Sequence, residues 1–147
     1  MKRSRTRRSK TLAKADYEAL AQFRYLLRNF LSFSEEAARE ANLTAQQHQA
    51  LLAIHGFPGR QCVVMGALAE RLHLRHHSTV GLVDRLCGKA LVRRRRDPLD
   101  RRRVQLALTA KGRSLLRRLS LTHRDELRRL APLLRRLLTH VEGTSNA

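Results

Sequence analysis

Apolar residues recur at three- and four-residue steps through Leu20, Phe23, Leu27, Phe30 and Leu31, and this period predicts an amphipathic helix over 15–41. Leu26, Phe30 and Phe33 carry apolar surface onto a second stripe, so the helix needs two partners, and a second subunit is a candidate for one. Asn42-Leu-Thr44 breaks the pattern. Thr44, with Gln47 three residues on, reads as a capping box. The helix it opens passes Leu51, Leu52 and Ile54 and stops at Gly56-Phe-Pro-Gly59. A third, short helix carries Ala67, Leu68 and Leu72. A turn and a fourth helix from about His77 to Lys89 follow.

The period then changes. Leu91–Arg96 reads as a strand, Asp97-Pro-Leu-Asp100 as a turn, and Arg103–Leu108 as a second strand with Val104, Leu106 and Leu108 on one side. This is a β-hairpin with an apolar inner face and an outer face studded with guanidinium groups. Thr109 caps a Leu/Arg helix, and Pro132 is expected to divide it into two, 110–129 and 131–141. Leu115, Leu116, Leu119, Leu127, Leu130, Leu134, Leu137 and Leu138 are too many for a lone helix to hide, which points to a dimer core with a solvated outer face.

The resulting fold class is mainly α with a small β-hairpin wing: a winged helix-turn-helix with a helical dimerisation region built from both termini. The expected domains are a basic arm over 1–14, a dimerisation helix over 15–41, the winged helix over 42–108, C-terminal dimerisation helices over 109–141 and a tail over 142–147.

Charge narrows the class of function. In 147 residues, 31 Lys and Arg face 12 Asp and Glu, a formal charge of +19. Such a field opposes compaction and attracts polyanions, which argues against an enzyme for a small neutral substrate and favours DNA, RNA or an anionic membrane. No apolar run reaches the roughly 20 residues that cross a bilayer, and no apolar segment follows the basic start as in a secretory signal. Cys62 and Cys87 make no disulfide framework, so a reducing cytoplasm is expected.

The chemistry concentrates between Leu68 and Arg103. At 100° per residue, Thr79, Leu82, Val83, Leu86 and Ala90 share one face of the fourth helix. His77, Gly81, Asp84, Arg85 and Gly88 share the other, with Ser78 at its edge. The first face packs on Leu68 and Leu72, with Ala69 small where the helices cross. The second is small and polar, which suits the DNA major groove. Arg75 and His76 precede the helix, where free N–H groups favour phosphate. The candidate recognition residues are therefore Arg75, His76, His77, Ser78, Gly81 and Arg85. The candidate wing residues are Arg95, Arg96, Asp100, Arg101 and Arg102, the acids holding guanidinium groups for a narrow minor groove.

These stretches resemble the MarR family of bacterial transcription regulators. The resemblance is carried by Leu68-Ala-Glu-Arg-Leu72, by Ser78-Thr-Val-Gly-Leu-Val-Asp-Arg-Leu86, by Leu91-Val92, and above all by Asp97-Pro-Leu-Asp-Arg-Arg-Arg-Val-Gln-Leu-Ala-Leu-Thr-Ala-Lys-Gly112. It spans roughly 20–140. It implies a triangular homodimer reading a pseudo-palindromic operator as a cytoplasmic, nucleoid-associated repressor. Asp100 and Arg102 match the family's Asp-x-Arg, which makes Arg102 the minor-groove arginine and Asp100 its anchor. Two positions depart from the family pattern: His73 and Ala90 stand where glycine is usual.

Other readings compete. Phe23, Phe30, Phe33 and His48 are candidates for a cleft that takes a small aromatic or lipophilic effector, against ordinary helix packing. Cys87 is a candidate redox site, against a small packed residue. His73, His76, His77 and Cys62 lack the spacing of a metal site, so neither metal nor cofactor is expected. No catalytic motif points to an enzyme. The alternative functions are a sequence-indifferent DNA coater and an RNA-associated winged helix.

Overall fold

The computed structural model describes residues 11–59 and 62–144. Most of the expected basic arm, residues 1–10, and the last three residues of the expected tail lie outside the described residues. The elements are α1 (Lys14–Glu40), α2 (Ala45–His55), β1 (Val63–Val64), α3 (Met65–Leu72), α4 (His76–Gly88), β2 (Val92–Arg96), β3 (Val104–Leu108) and α5 (Ala110–Thr144). The chain divides into two compact units. One is Ser32–Asp125. The other joins the chain up to Leu31 with the segment from Glu126 onward.

The Ser32–Asp125 unit holds a continuous apolar core. Leu51 and Ile54 of α2, Leu68 of α3, Leu82, Val83 and Leu86 of α4 and Leu106 of β3 are all fully buried. Leu116 and Leu119 of α5 close it. The period-3.6 faces predicted for α4 are observed, except that Ala90 lies outside the helix and is exposed. Helix α4 stops at Gly88 because the next turn closes on itself. Leu91 N–H reaches Leu86 O at 3.0 Å, Ala90 N–H reaches Cys87 O at 2.9 Å, and Ala90 takes φ +57°. This is a Schellman stop with alanine in the left-handed position that favours glycine. His73 ends α3 in the same way, with φ +52° and Leu74 N–H bonded to Ala69 O at 2.9 Å.

The sheet is antiparallel, in the order β1-β3-β2. Strand β1 was not expected: two residues are too short for alternation to be read, and pairing of Val63 with Leu106 alone defines it. In the hairpin, Val92 faces Leu108, Arg94 faces Leu106 and Arg96 faces Val104. Residues directly opposite share a sheet face. Arg94 and Arg96 therefore lie on the side of the apolar stripe, and Arg93 and Arg95 on the other. The single outer face of guanidinium groups expected from sequence is thus corrected: four consecutive arginines on one strand must alternate.

Two caps follow the sequence closely. Thr44 Oγ1 accepts from Gln47 N–H and Gln47 Oε1 accepts from Thr44 N–H, each at 3.1 Å. Thr109 Oγ1 accepts from Gly112 N–H at 3.0 Å and donates to Ala90 O at 2.6 Å. The expected break at Pro132 is absent, and α5 runs on to Thr144. Proline gives up its own bond to Arg128 O and crowds that carbonyl, but the Leu, Arg and Ala residues around it are good helix formers that keep both flanks wound.

In the other unit, Ala19, Leu26 and Leu130 are buried, and His140 Nε2 lies 3.1 Å from Asp16 Oδ1. Two bonds from Arg129, at 2.6 and 3.0 Å, hold the Glu126 carboxyl below its ordinary pKa. Leu20, Phe23, Leu27 and Leu31 of α1 stay substantially exposed. Among the described residues, no helix is long and apolar enough to cross a membrane.

Candidate nucleic-acid interface

Helix α4 buries Thr79, Leu82, Val83 and Leu86 and exposes His77, Ser78, Asp84 and Arg85, with Gly81 half-buried between them. Its N-terminus is set by Arg75 in an extended conformation, and no side chain caps it. Thr79 turns its hydroxyl back to Arg75 O at 3.1 Å. The first-turn N–H groups of α4 are thus left without a side-chain acceptor, at the positive end of the helix dipole. Arg75, His76 and His77 stand around them, all exposed.

The wing is tied to this helix by a contact that the sequence did not disclose. Arg94 Nη2 lies 2.6 Å from Asp84 Oδ1 and 3.5 Å from Val80 O. The pair is exposed, so its contribution to stability is small, about 0–1 kcal/mol. Its geometric consequence is larger: it fixes β2 against the polar side of α4. Asp84 was visible in the sequence as an acid on an otherwise basic face. Its partner was not, because four adjacent arginines offer four choices and only the strand register selects one.

Between α4 and the wing lies an open cleft of about 600 Å³. His76, Val80 and Asp84 line it from the helix, and Arg94, Arg102 and Arg103 from the hairpin. The structure therefore brings His76 and Arg102 to one cleft. Arg95 belongs elsewhere, on the opposite sheet face beside Gln105, with Nη2 3.5 Å from Gln105 Oε1. Arg96 ends β2 on the α4 side, and Arg101 is exposed in the loop.

The wing loop is organised by its two acids acting on backbone. Asp97 Oδ1 accepts from Leu99 N–H at 2.9 Å, and Asp97 Oδ2 accepts from Gln105 Nε2 at 3.1 Å. These bonds, Leu99 first, hold the Asp97 carboxyl below its ordinary pKa. Asp100 Oδ1 accepts from the backbone N–H of Arg102 at 3.0 Å. The expected grip of Asp100 on a guanidinium is replaced by an Asx turn, because the short aspartate reaches the N–H two residues on before it can reach the end of a long side chain. Asp100 places the Arg102 backbone and leaves its guanidinium to the cleft.

Of the other candidates, two share a neighbour. Phe33 and His48 both meet His123, at ring-centroid distances of 5.4 and 4.7 Å. His123 Nε2 lies 2.8 Å from Ser34 Oγ. Burial, and secondarily the neighbouring His123, lowers the His48 pKa. Phe23 and Phe30 belong to the other unit. Cys87 and Cys62 are free thiols. Cys87 packs half-buried against the core, and Cys62 donates to Gln105 Oε1 at 3.4 Å. Among the described residues, no group of three or more His, Cys, Asp and Glu side chains is arranged to hold a metal ion.

A family model described as MarR family matches residues 41–103, the stretch from the end of α1 to the wing. A comparison with curated protein sequences finds no match. Among solved structures, a mutant MepR from S. aureus is similar at a TM-score of 0.73 with 17% identity, covering 86% of this chain and 97% of that one. AbsC, a MarR family transcriptional regulator from Streptomyces coelicolor, is similar at 0.66 with 20% identity, covering 92% and 99%. A mutant MarR from E. coli, complexed with operator DNA, is similar at 0.63 with 22% identity, covering 82% and 91%. At these identities the structural likeness establishes the fold.

Proposed function

We propose that the chain is a MarR-type regulator, a DNA-binding transcription factor and not an enzyme, acting as a homodimeric repressor; the MarR family model that matches residues 41–103 supports this reading. One observation carries this reading: His76 and Asp84 of α4 and Arg102 of the wing line a single cleft, bridged by the Asp84–Arg94 pair, beside the exposed polar face of α4. On this reading α4 enters the major groove, with Ser78, Gly81 and Arg85 toward base edges. Arg75, His76, His77 and the uncapped N–H groups meet phosphate. Arg102 reaches the adjacent minor groove, where narrow width concentrates negative potential. Arg96 and Arg101 add backbone contacts, which position without specifying.

Dimerisation is supported by the exposed Leu20, Phe23, Leu27 and Leu31 of α1 and by Leu127 and Leu138 of α5, large apolar side chains left to water that a second subunit would cover. Two heads related by a dyad read half-sites about one helical turn apart. An effector would release the operator only through different affinities for two spacings of the heads. Phe33 and His48 remain the candidates for touching it. The reading places the protein on the bacterial chromosome in the cytoplasm.

The test is selection of bound duplexes from a random pool, with footprinting and mass determination in solution. A palindromic consensus, held about 10³-fold or more over bulk DNA, and a dimer mass are expected. The +19 charge favours one rival, a sequence-indifferent coater. Enrichment of no sequence over bulk DNA would establish that rival instead.

A further inference from the structure

On the sheet face turned away from α4, a second cleft of about 490 Å³ opens between the wing, the end of α2 and the start of α5. Strand alternation brings Arg93 and Arg95 to it, α5 contributes Arg113, and α2 contributes His55. Ala107, directly opposite Arg93 in the ladder, gives the cleft a small apolar wall beside the Cys62 thiol, and Leu108, whose side chain is buried on the other sheet face, borders it with its backbone carbonyl, which accepts from Arg113. Among the described residues, no carboxylate lines this cleft and no ion pair takes Arg93, Arg95 or Arg113. Asp97, the acid bonded to Gln105, is already engaged by Gln105 and Leu99.

Three guanidinium groups around one concavity repel one another, and each keeps unused donors. Arg113 gives Nη1 to Leu108 O at 2.9 Å, and Arg95 gives one long contact to Gln105, out of five N–H donors per guanidinium. An oxyanion removes the repulsion and accepts charge-assisted bonds from planar forks suited to carboxylate and phosphate. The volume falls within the roughly 300–1,000 Å³ usual for small-molecule sites, and the Ala107 methyl offers contact to a short carbon skeleton.

We propose that this cleft is a binding site for a small organic oxyanion, a phosphate ester or a dicarboxylate, held by Arg93, Arg95 and Arg113. The ligand braces β2 to the first turn of α5 from the side opposite the α4 cleft. The site therefore stands or falls independently of the DNA reading.

Cys62 is a built-in reporter, with Cys87 as internal reference. The full chain is titrated by calorimetry with glycerol 3-phosphate, succinate and inorganic phosphate at about 0.15 M salt. In parallel, alkylation of each cysteine by iodoacetamide is followed by peptide mass. One organic anion is expected to bind with 1:1 stoichiometry and to slow Cys62 alkylation about tenfold while leaving Cys87 unchanged. The exposed double variant Arg93→Gln/Arg95→Gln is expected to weaken binding by about tenfold or more, or about 1.4 kcal/mol. The charge-matched Arg135→Gln/Arg136→Gln is expected to leave it unchanged. Equal weakening by both pairs would reduce the effect to net charge and overturn the site. So would Cys62 alkylation indifferent to all three anions, protection by inorganic phosphate only, or protection by duplex DNA only.

Discussion

Gly112 of α5 lies directly on the carbonyl of Leu91. A Cβ built on Gly112 would overlap Leu91 O and stand 3.0 Å from its carbonyl carbon. The same carbonyl accepts the Thr109 N–H at 3.0 Å, so the start of α5 and the residue opening the wing are joined through one peptide group. This explains the Leu-Thr-x-x-Gly sequence from Leu108 to Gly112: Thr109 caps, and the glycine three residues on lets the backbones meet.

Gly112→Ala is accordingly expected to destabilise the protein by about 1–3 kcal/mol, the usual cost of overpacking. Gly66→Ala, in α3 with open space where its Cβ would go, is expected to be neutral or stabilising by up to about 1 kcal/mol. Urea unfolding of the two variants checks both signs.

Ala90→Gly should stabilise the fold. Ala90 holds a left-handed conformation that costs an L-residue about 1–2 kcal/mol. Glycine removes that cost but adds about 0.4–1 kcal/mol of unfolded-state entropy. A net gain of up to about 1 kcal/mol, read as a raised denaturation midpoint at unchanged slope, is the expected outcome. A loss would show that the turn is not strained.

The Asp84–Arg94 pair separates stability from positioning. In a double-mutant cycle with Asp84→Ala and Arg94→Ala, the coupling in unfolding free energy is expected at about 1 kcal/mol or less. Operator affinity, measured by fluorescence anisotropy, should fall in both single variants because the wing loses its fixed angle to α4. Unchanged affinity in both would show that the wing needs no latch.

Two substitutions test the DNA-facing assignment. Arg102→Ala is expected to weaken operator binding by about 1–3 kcal/mol and to reduce the salt slope by about 1. Gly81→Glu should abolish binding while leaving circular dichroism and thermal midpoint nearly unchanged. Added atoms at Gly81 meet only the mobile Arg85 Nη1, at 3.6 Å, and place a carboxylate toward the phosphates. Intact binding of Gly81→Glu would assign DNA to another face.

Burial of His48 makes stability depend on pH. Its folded pKa lies below the 6.5 of the free side chain, mainly through desolvation and then through His123. The unfolded chain therefore takes up this proton first as pH falls through 6.5. Stability from this group is complete above that value and is lost as pH falls below it, until the folded form protonates as well. Urea midpoints of the native chain and of His48→Gln, compared at several pH values, should converge in slope above 6.5 and diverge below it. Parallel curves would exclude His48 as the source.

Local patterns in the sequence were sufficient to determine the first four helices and the start of the fifth, the Thr44 and Thr109 caps, the hairpin and the buried face of α4 within the helix. Each depends on spacings of two to four residues within one element, where backbone geometry alone dictates which side chains share a face. Only the tertiary structure decided matters resting on a distant partner: β1, which exists because Leu106 pairs with it; the choice of Arg94 for Asp84; the division of Arg93–Arg96 between two sheet faces; and the continuation of α5 through Pro132. Four identical arginines are equivalent as letters. They become different chemical groups once strand register sets each against its own neighbours.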